Sequence, residues 1–228
     1  GRAYLYIDNQ LIDSTGLRNG STEVVGYPLL VGGTSSDIIS GYFKGKIDDI
    51  RLYQRFLSRE EVGALYECEK PEIPNFVDEC NLENIPAAYF PMDNNPHDVI
   101  NGNIGTVNGA TLTTDRFGNA NSAYEFDGID DYIDYGDSLE YRFAGDYSIS
   151  LWIYTDSLPQ GGNFLNKRQP VSPFRQYSIS LDEGSPYNAV LEEGDNVAFF
   201  QRVDQDGNSV NDKRIYTERK NYCWCLQV

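Results

Sequence analysis

Apolar and polar positions alternate with a period of two along much of this chain. In "YSISLWIYTD" (147–156), Ile149, Leu151 and Ile153 share one side, while Ser148, Ser150, Trp152 and Tyr154 share the other. That is the pattern of a half-buried strand. "AYLYID" (3–8) followed by "NQLIDST" predicts a hairpin turning at residues 8–10. Further strands are predicted at 27–33, 42–53, 87–93, 177–182 and 196–204, and a strand–turn–strand at 122–137. A helical period occurs once, in Val62, Leu65 and Tyr66. These follow Ser58-Arg59-Glu60-Glu61, a capping-box sequence that places one short helix near 58–67. Many short strands with Gly/Asn/Asp turns and little helix predict an all-β fold, an antiparallel β-sandwich.

The alternation lapses between residues 68 and 86. "CEKPEIPNFVDEC" is acidic and contains Pro, so this stretch is read as a linker. Its Cys68 and Cys80 are candidates for a disulfide that clips the linker and implies an oxidising compartment; free thiols are the alternative. A zinc site does not fit, because the spacing matches no finger pattern and the single His, His97, is remote.

Composition supports the strand pattern: 17 Tyr, 11 Phe and 21 Gly stand against one Met. The net charge of −17 disfavours nucleic acid and anionic membranes. It suits Ca²⁺, a neutral ligand such as sugar, or a basic partner, and it also serves plain solubility. No apolar run is long enough to span a membrane, so no membrane insertion is expected. The opening residues do not read as a signal peptide.

Two longer stretches carry a resemblance. "YFKGKIDDIRLYQRFLSREEVGALYE" (42–67) resembles the closing motif of laminin-G-like domains, of the concanavalin A-like lectin/glucanase superfamily. "AYFPMD" through "FDGIDDYIDYG" resembles the opening of the same domain, and "GRAYLYIDNQLI" a later strand, with Asn9 where the family has Gly. The resemblance implies a jelly roll. Closing elements here precede opening ones. Residues 1–67 therefore read as the C-terminal part of one domain, and 87–228 as the N-terminal part of a second, truncated one, a fragment of a tandem array. Two arrangements follow: the parts pack together as one permuted sandwich, or each is completed by sequence elsewhere. The tail "NDKRIYTERKNYCWCLQV" turns basic, and its Cys-Trp-Cys has no family counterpart. It reads as an altered end, with a redox or metal motif as the alternative.

Function is read from carboxylates and aromatics. Asp127 and Asp131, around the Gly128 turn, and Asp48 and Asp49, in a strand, are candidate Ca²⁺ ligands. The resemblance implies such a site where first and last strands meet, and alternation places Asp48 toward the core. Turn capping through backbone N–H groups is the competing role. Tyr187, in "EGSPYNA", is a candidate sugar-stacking residue, and "KRQPVSPFRQ" (167–176) reads as a solvated basic loop. No Glu-x-Asp-x-x-Glu strand and no G-x-S-x-G occurs, so no catalysis is expected. The resulting expectation is a non-catalytic binding module, extracellular or at the cell surface. Its partner is a glycan, with calcium as a possible cofactor, or an extracellular protein if the module serves adhesion or spacing. A glycoside hydrolase of the superfamily is the distant alternative.

Overall fold

The computed structural model describes residues 2–16, 26–33, 41–69, 85–143, 145–155, 162–168, 176–181, 197–202, 213–216 and 221–227. Its strands are β1 (Arg2–Ile7), β2 (Gln10–Gly16), β3 (Leu30–Val31), β4 (Lys44–Tyr53), β5 (Ala88–Phe90), β6 (Thr106–Asn108), β7 (Thr111–Thr113), β8 (Ala123–Asp127), β9 (Tyr132–Asp134), β10 (Ser148–Tyr154), β11 (Asn163–Arg168), β12 (Gln176–Leu181), β13 (Val197–Arg202), β14 (Lys213–Tyr216) and β15 (Asn221–Gln227). One α-helix, α1 (Arg59–Glu69), and one 3₁₀ turn, Leu139–Tyr141, complete the described elements.

The strands form two antiparallel sheets. The first runs β2-β1-β15-β10-β4-β8-β7, with β5 also paired to β4; the second runs β14-β13-β12-β11-β3-β9-β6. Strand β4 bonds to β5, β8 and β10, so residues before the linker and residues after it build one sheet. The second sheet does the same, with β3 between β9 and β11. The physical reason is the one-sided apolar face of each strand, which must meet a facing layer. Ile47, Ile50 and Leu52 of β4 and Ile149, Leu151 and Ile153 of β10 bury against Val31, Ile133, Phe164, Leu165, Tyr177 and Ile179 of the other sheet.

Local chemistry accounts for the connections. Asp8 and Asn9 have φ of 48° and 60°, the paired positive angles that join β1 to β2 in a tight hairpin. Asn tolerates that conformation, so the turn forms at Asn9 without a Gly. Helix α1 begins with reciprocal bonds: Glu61 N–H donates to Ser58 Oγ (3.2 Å) and Ser58 N–H to Glu61 Oε2 (2.6 Å). Hydrogen bonds from Arg55 hold the Glu61 carboxyl below its usual range. The helix buries Val62 and Leu65, and Val62 packs with Tyr6, Tyr53 and Leu57 on the outer face of the first sheet.

One stretch differs from its sequence reading. The basic loop at 167–176 begins inside β11, where Lys167 is fully buried; its ammonium donates to the Tyr27 carbonyl and to Asp137 Oδ1 (2.9 Å). Burial pushes its pKa down, against the opposing pull of Asp137. The tail supplies β15, which lies between β1 and β10 with Trp224 opposite both Ile7 and Leu151.

Cys68 is disulfide-bonded, and Cys80 lies outside the described residues. Peptide mapping without reductant is expected to recover one cross-linked peptide joining Cys68 to Cys80. Recovery of Cys68 linked to Cys223 or Cys225 would exclude that pairing.

Candidate functional site

The outer face of the first sheet, over β10, β4, β8 and β7, carries the polar chemistry. It starts from an irregularity in β4. Opposite β10, the register runs Arg51↔Ser150 and then Asp48↔Trp152, so Asp49 and Ile50 together face Leu151. This is a β-bulge, and Asp49 sits in it with φ 48°. The bulge turns Asp48 to the side of Arg51 and Trp152, while Ile47, Ile50 and Leu52 stay in the core. The core-facing placement of Asp48 expected from unbroken alternation is therefore corrected: one extra residue shifts the phase between Ile47 and Ile50.

Arg116, from the loop joining β7 to β8, answers both carboxylates. Its Nη1 donates to Asp48 Oδ2 and its Nη2 to Asp49 Oδ2, each at 2.5 Å, and its Nε donates to the Glu69 carbonyl at 2.9 Å. The guanidinium lies 4.5 Å from the Trp152 ring centroid and 4.3 Å from that of Phe117. Around it, Trp152 Nε1–H donates to Glu69 Oε2 (2.7 Å), Tyr89 O–H donates to Asp49 Oδ1 (2.6 Å), and Arg51 pairs with Glu69. Tyr66 stacks on Trp152. The end of α1, the β4 bulge and the β7–β8 loop are thus fastened through one buried network.

That network is rich in acid. Asp48, Asp49 and Glu69 face the cations Arg51 and Arg116, and the Asp48 side chain is only 10% exposed. Burial, reinforced by Asp49, pushes the Asp48 carboxyl up to about 8; Arg116 pulls the other way without cancelling it. Burial likewise raises the Tyr89 hydroxyl, with Asp49 adding to the effect.

A second acidic group lies at the β8–β9 turn. The ligand oxygens of Asp127, Asp130 and Asp131 fall within 4.8 Å of one another. Asp127 Oδ1 accepts from Ile129 N–H (2.7 Å), and Asp131 Oδ2 accepts from Asp127 N–H (2.8 Å). Asp131 is buried beneath Gly109, where an added Cβ would come within 1.8 Å of its Oδ1. Burial raises its carboxyl above the usual range, ahead of the repulsion from Asp127 and Asp130.

Two cavities connect these features. One, of about 240 Å³, is lined by Lys46, Asp48, Asp115, Arg116, Trp152 and Tyr154 among others. The other, of about 560 Å³, is lined by Lys44, Glu125, Asp127, Asp131 and Thr111, and shares Lys46 and Tyr154 with the first. Together they form a groove along the sheet, with the Lys46 ammonium 5.8 Å from the Tyr154 ring centroid.

The four carboxylates named from sequence thus fall into two sets. Asp48 and Asp49 are spanned by a guanidinium, whereas Asp127 and Asp131 stand with Asp130 at the turn. Tyr187 lies outside the described residues. Sequence reasoning passed over Arg116 and over Glu69, the last residue of α1; a basic residue beside Asp115 in "TTDRFGN" was the available signal for Arg116.

The family comparison agrees with this architecture. Residues 1–63 match the Laminin_G_3 family model, of the concanavalin A-like lectin/glucanases superfamily. With two facing antiparallel sheets, that match supports a laminin-G-like domain, a β-sandwich binding module. No curated protein and no solved structure matches the chain. Among the described residues, no helix is long and apolar enough to cross a membrane.

Proposed function

We propose that this chain is a non-catalytic, extracellular glycan-binding module whose ligand lies in the groove over β10, β4 and β8. The carrying observation is the pair of adjoining cavities, which share the partly exposed Tyr154 ring and set it among the polar groups of Lys46, Thr111 and Glu125. Sugars present C–H faces to aromatic rings and hydroxyls to such donors and acceptors, and concave sites with a few convergent polar groups suit them.

Calcium belongs to this proposal at one of the two acidic sets. The Asp127, Asp130 and Asp131 carboxylates supply the hard oxygen ligands that Ca²⁺ prefers. The ion would neutralise their mutual repulsion and brace the turn beside the larger cavity. Asp48 and Asp49 fit poorly, because Arg116 already supplies their cation.

A glycan array read with and without EGTA tests both parts. Binding to a defined set of glycans is expected, with weaker signals in EGTA, and millimolar Ca²⁺ is expected to raise the thermal midpoint by mass action. Binding that ignores EGTA, with no thermal shift, removes calcium. An empty array removes the glycan reading and favours protein contact, for which the exposed Val99, Ile100, Ile104 and Leu139 offer apolar surface.

A further inference from the structure

We propose that residues 2–69 are an exchangeable strand donor, which two copies of this chain trade, so that each sandwich and each groove is built by both copies. The carrying observation is the pairing of β3 and β4. Strand β4 bonds to β5, β8 and β10, and β3 bonds to β9 and β11. Every one of these partners comes from beyond the linker. Among the described residues, β3 and β4 pair neither with each other nor with β1 or β2. Both lie inside their sheets. Without β4 the first sheet parts between β10 and β8; without β3 the second parts between β11 and β9. Neither part of the chain closes a core without the other.

The donor is coherent on one side and open on the other. On its outer side Tyr6, Tyr53, Leu57 and Val62 pack among themselves, which ties β1, β4 and α1 into a unit. On its inner side Val31, Phe43, Ile47, Ile50 and Leu52 enter the core shared with the rest of the chain. Phe43 meets Phe126 of the first sheet (ring centroids 6.3 Å apart) and Phe164 of the second (4.9 Å). Residues 70–84 join the two parts and can reach roughly 50 Å when extended. The slot is the same whichever copy fills it, so the contacts are equal in the two arrangements. Filling by the chain's own donor is favoured only by the effective concentration the linker sets, on the order of millimolar. An unfilled slot presents apolar faces and unpaired strand edges, which a second copy's donor matches residue for residue. In the exchanged pair Lys46 and Asp48 of each groove come from one copy, and Arg116, Glu125 and Tyr154 from the other.

The test mixes two full-length variants. Ile50→Asp puts a charge into the core from the donor, and Leu151→Asp puts one there from the receiving part; both positions are fully buried. Each variant alone is expected to show no cooperative thermal transition. Unfolded together and refolded in a thiol redox buffer, the two are expected to regain one. Its amplitude should reach at most about half the parent's, in a particle with the mass of a dimer, because exchange yields one sandwich free of both changes. The parent refolded at about 1 mM should give monomer and dimer in comparable amounts by light scattering, and monomer alone at micromolar concentration. A mixture that regains no transition, under conditions where the parent does, overturns the exchange. A parent that is monomeric at both concentrations overturns it as well. A dimeric parent without rescue in the mixture places the contact on another face and also overturns it. A variant that folds alone receives a second buried aspartate, Ile47→Asp or Ile153→Asp, before the mixture is repeated.

Discussion

Replacing Arg116 by alanine is expected to lower stability by about 3–5 kcal/mol, the usual cost of stranding a buried charge partner. Arg116 is 9% exposed at its side chain and bridges Asp48 and Asp49, so Asp49 loses its cation, and Asp48 loses its donor or, once ionised, its cation as well. The Glu69 carbonyl loses its bond from Nε, and the Trp152 ring loses its cationic cover. For a domain of this size the change corresponds to a fall in Tm of roughly 6–20 °C. Arg116→Lys should recover only part, because one ammonium cannot span two carboxylates and a carbonyl as a planar fork does. A loss below about 1 kcal/mol for the alanine variant would mean that the pairs behave as exposed ones, and the buried-network account would fail.

The second large effect concerns pH. The folded protein holds the Asp48 proton up to about pH 8, whereas an unperturbed aspartate releases it near 3.8. Between those values the native state binds more protons than the unfolded chain. Stability from this group is therefore complete below the lower value and declines as pH rises, by at most about 1.4 kcal/mol per pH unit. Asp131, also raised by burial, acts in the same direction, while the lowered Glu61 changes stability only in acid. Asp48→Asn keeps an acceptor for Arg116 and removes the titration. Chemical denaturation between pH 5 and 8 should show the parent losing stability with rising pH and the variant losing much less, so that the variant is the more stable at the alkaline end. Parallel slopes for the two proteins would place the titrating group elsewhere. The Arg116 result is tied to this one, because its removal should cost more at pH 8, where Asp48 is half ionised, than at pH 5.

How far the sequence disclosed this arrangement depended on whether the signal was local. The capping box at Ser58–Glu61 and the alternation of Ile149, Leu151 and Ile153 are set by neighbours within a few residues, and the structure has both. The hairpin at Asp8–Asn9 is equally local. Strands β6 and β7 were hidden because a Gly/Asn-rich stretch has few apolar positions to alternate; their residues are half-buried or exposed. Strand β15 was obscured by the basic residues before it, although Tyr222, Trp224 and Leu226 alternate. The site was legible only in fragments. The acid pair at 48–49 was visible, but its partner comes from position 116, and nothing local to either stretch specifies that distance. Nor does the string "KIDDI" announce that one Asp is supernumerary, since two adjacent acids fit a regular strand with one facing in.

That supernumerary residue makes β4 tolerant of a particular change in length. Remove Asp49, and the strand reads Ile47, Asp48, Ile50, Arg51, Leu52, with every apolar side chain still on the face it now occupies. A single-codon deletion there would keep the apolar face of the strand in phase, subtract one negative charge and remove the Asp49 repulsion that helps hold the Asp48 proton. Relatives that carry this strand are therefore expected to differ by a one-residue gap at this point while keeping the sandwich beneath.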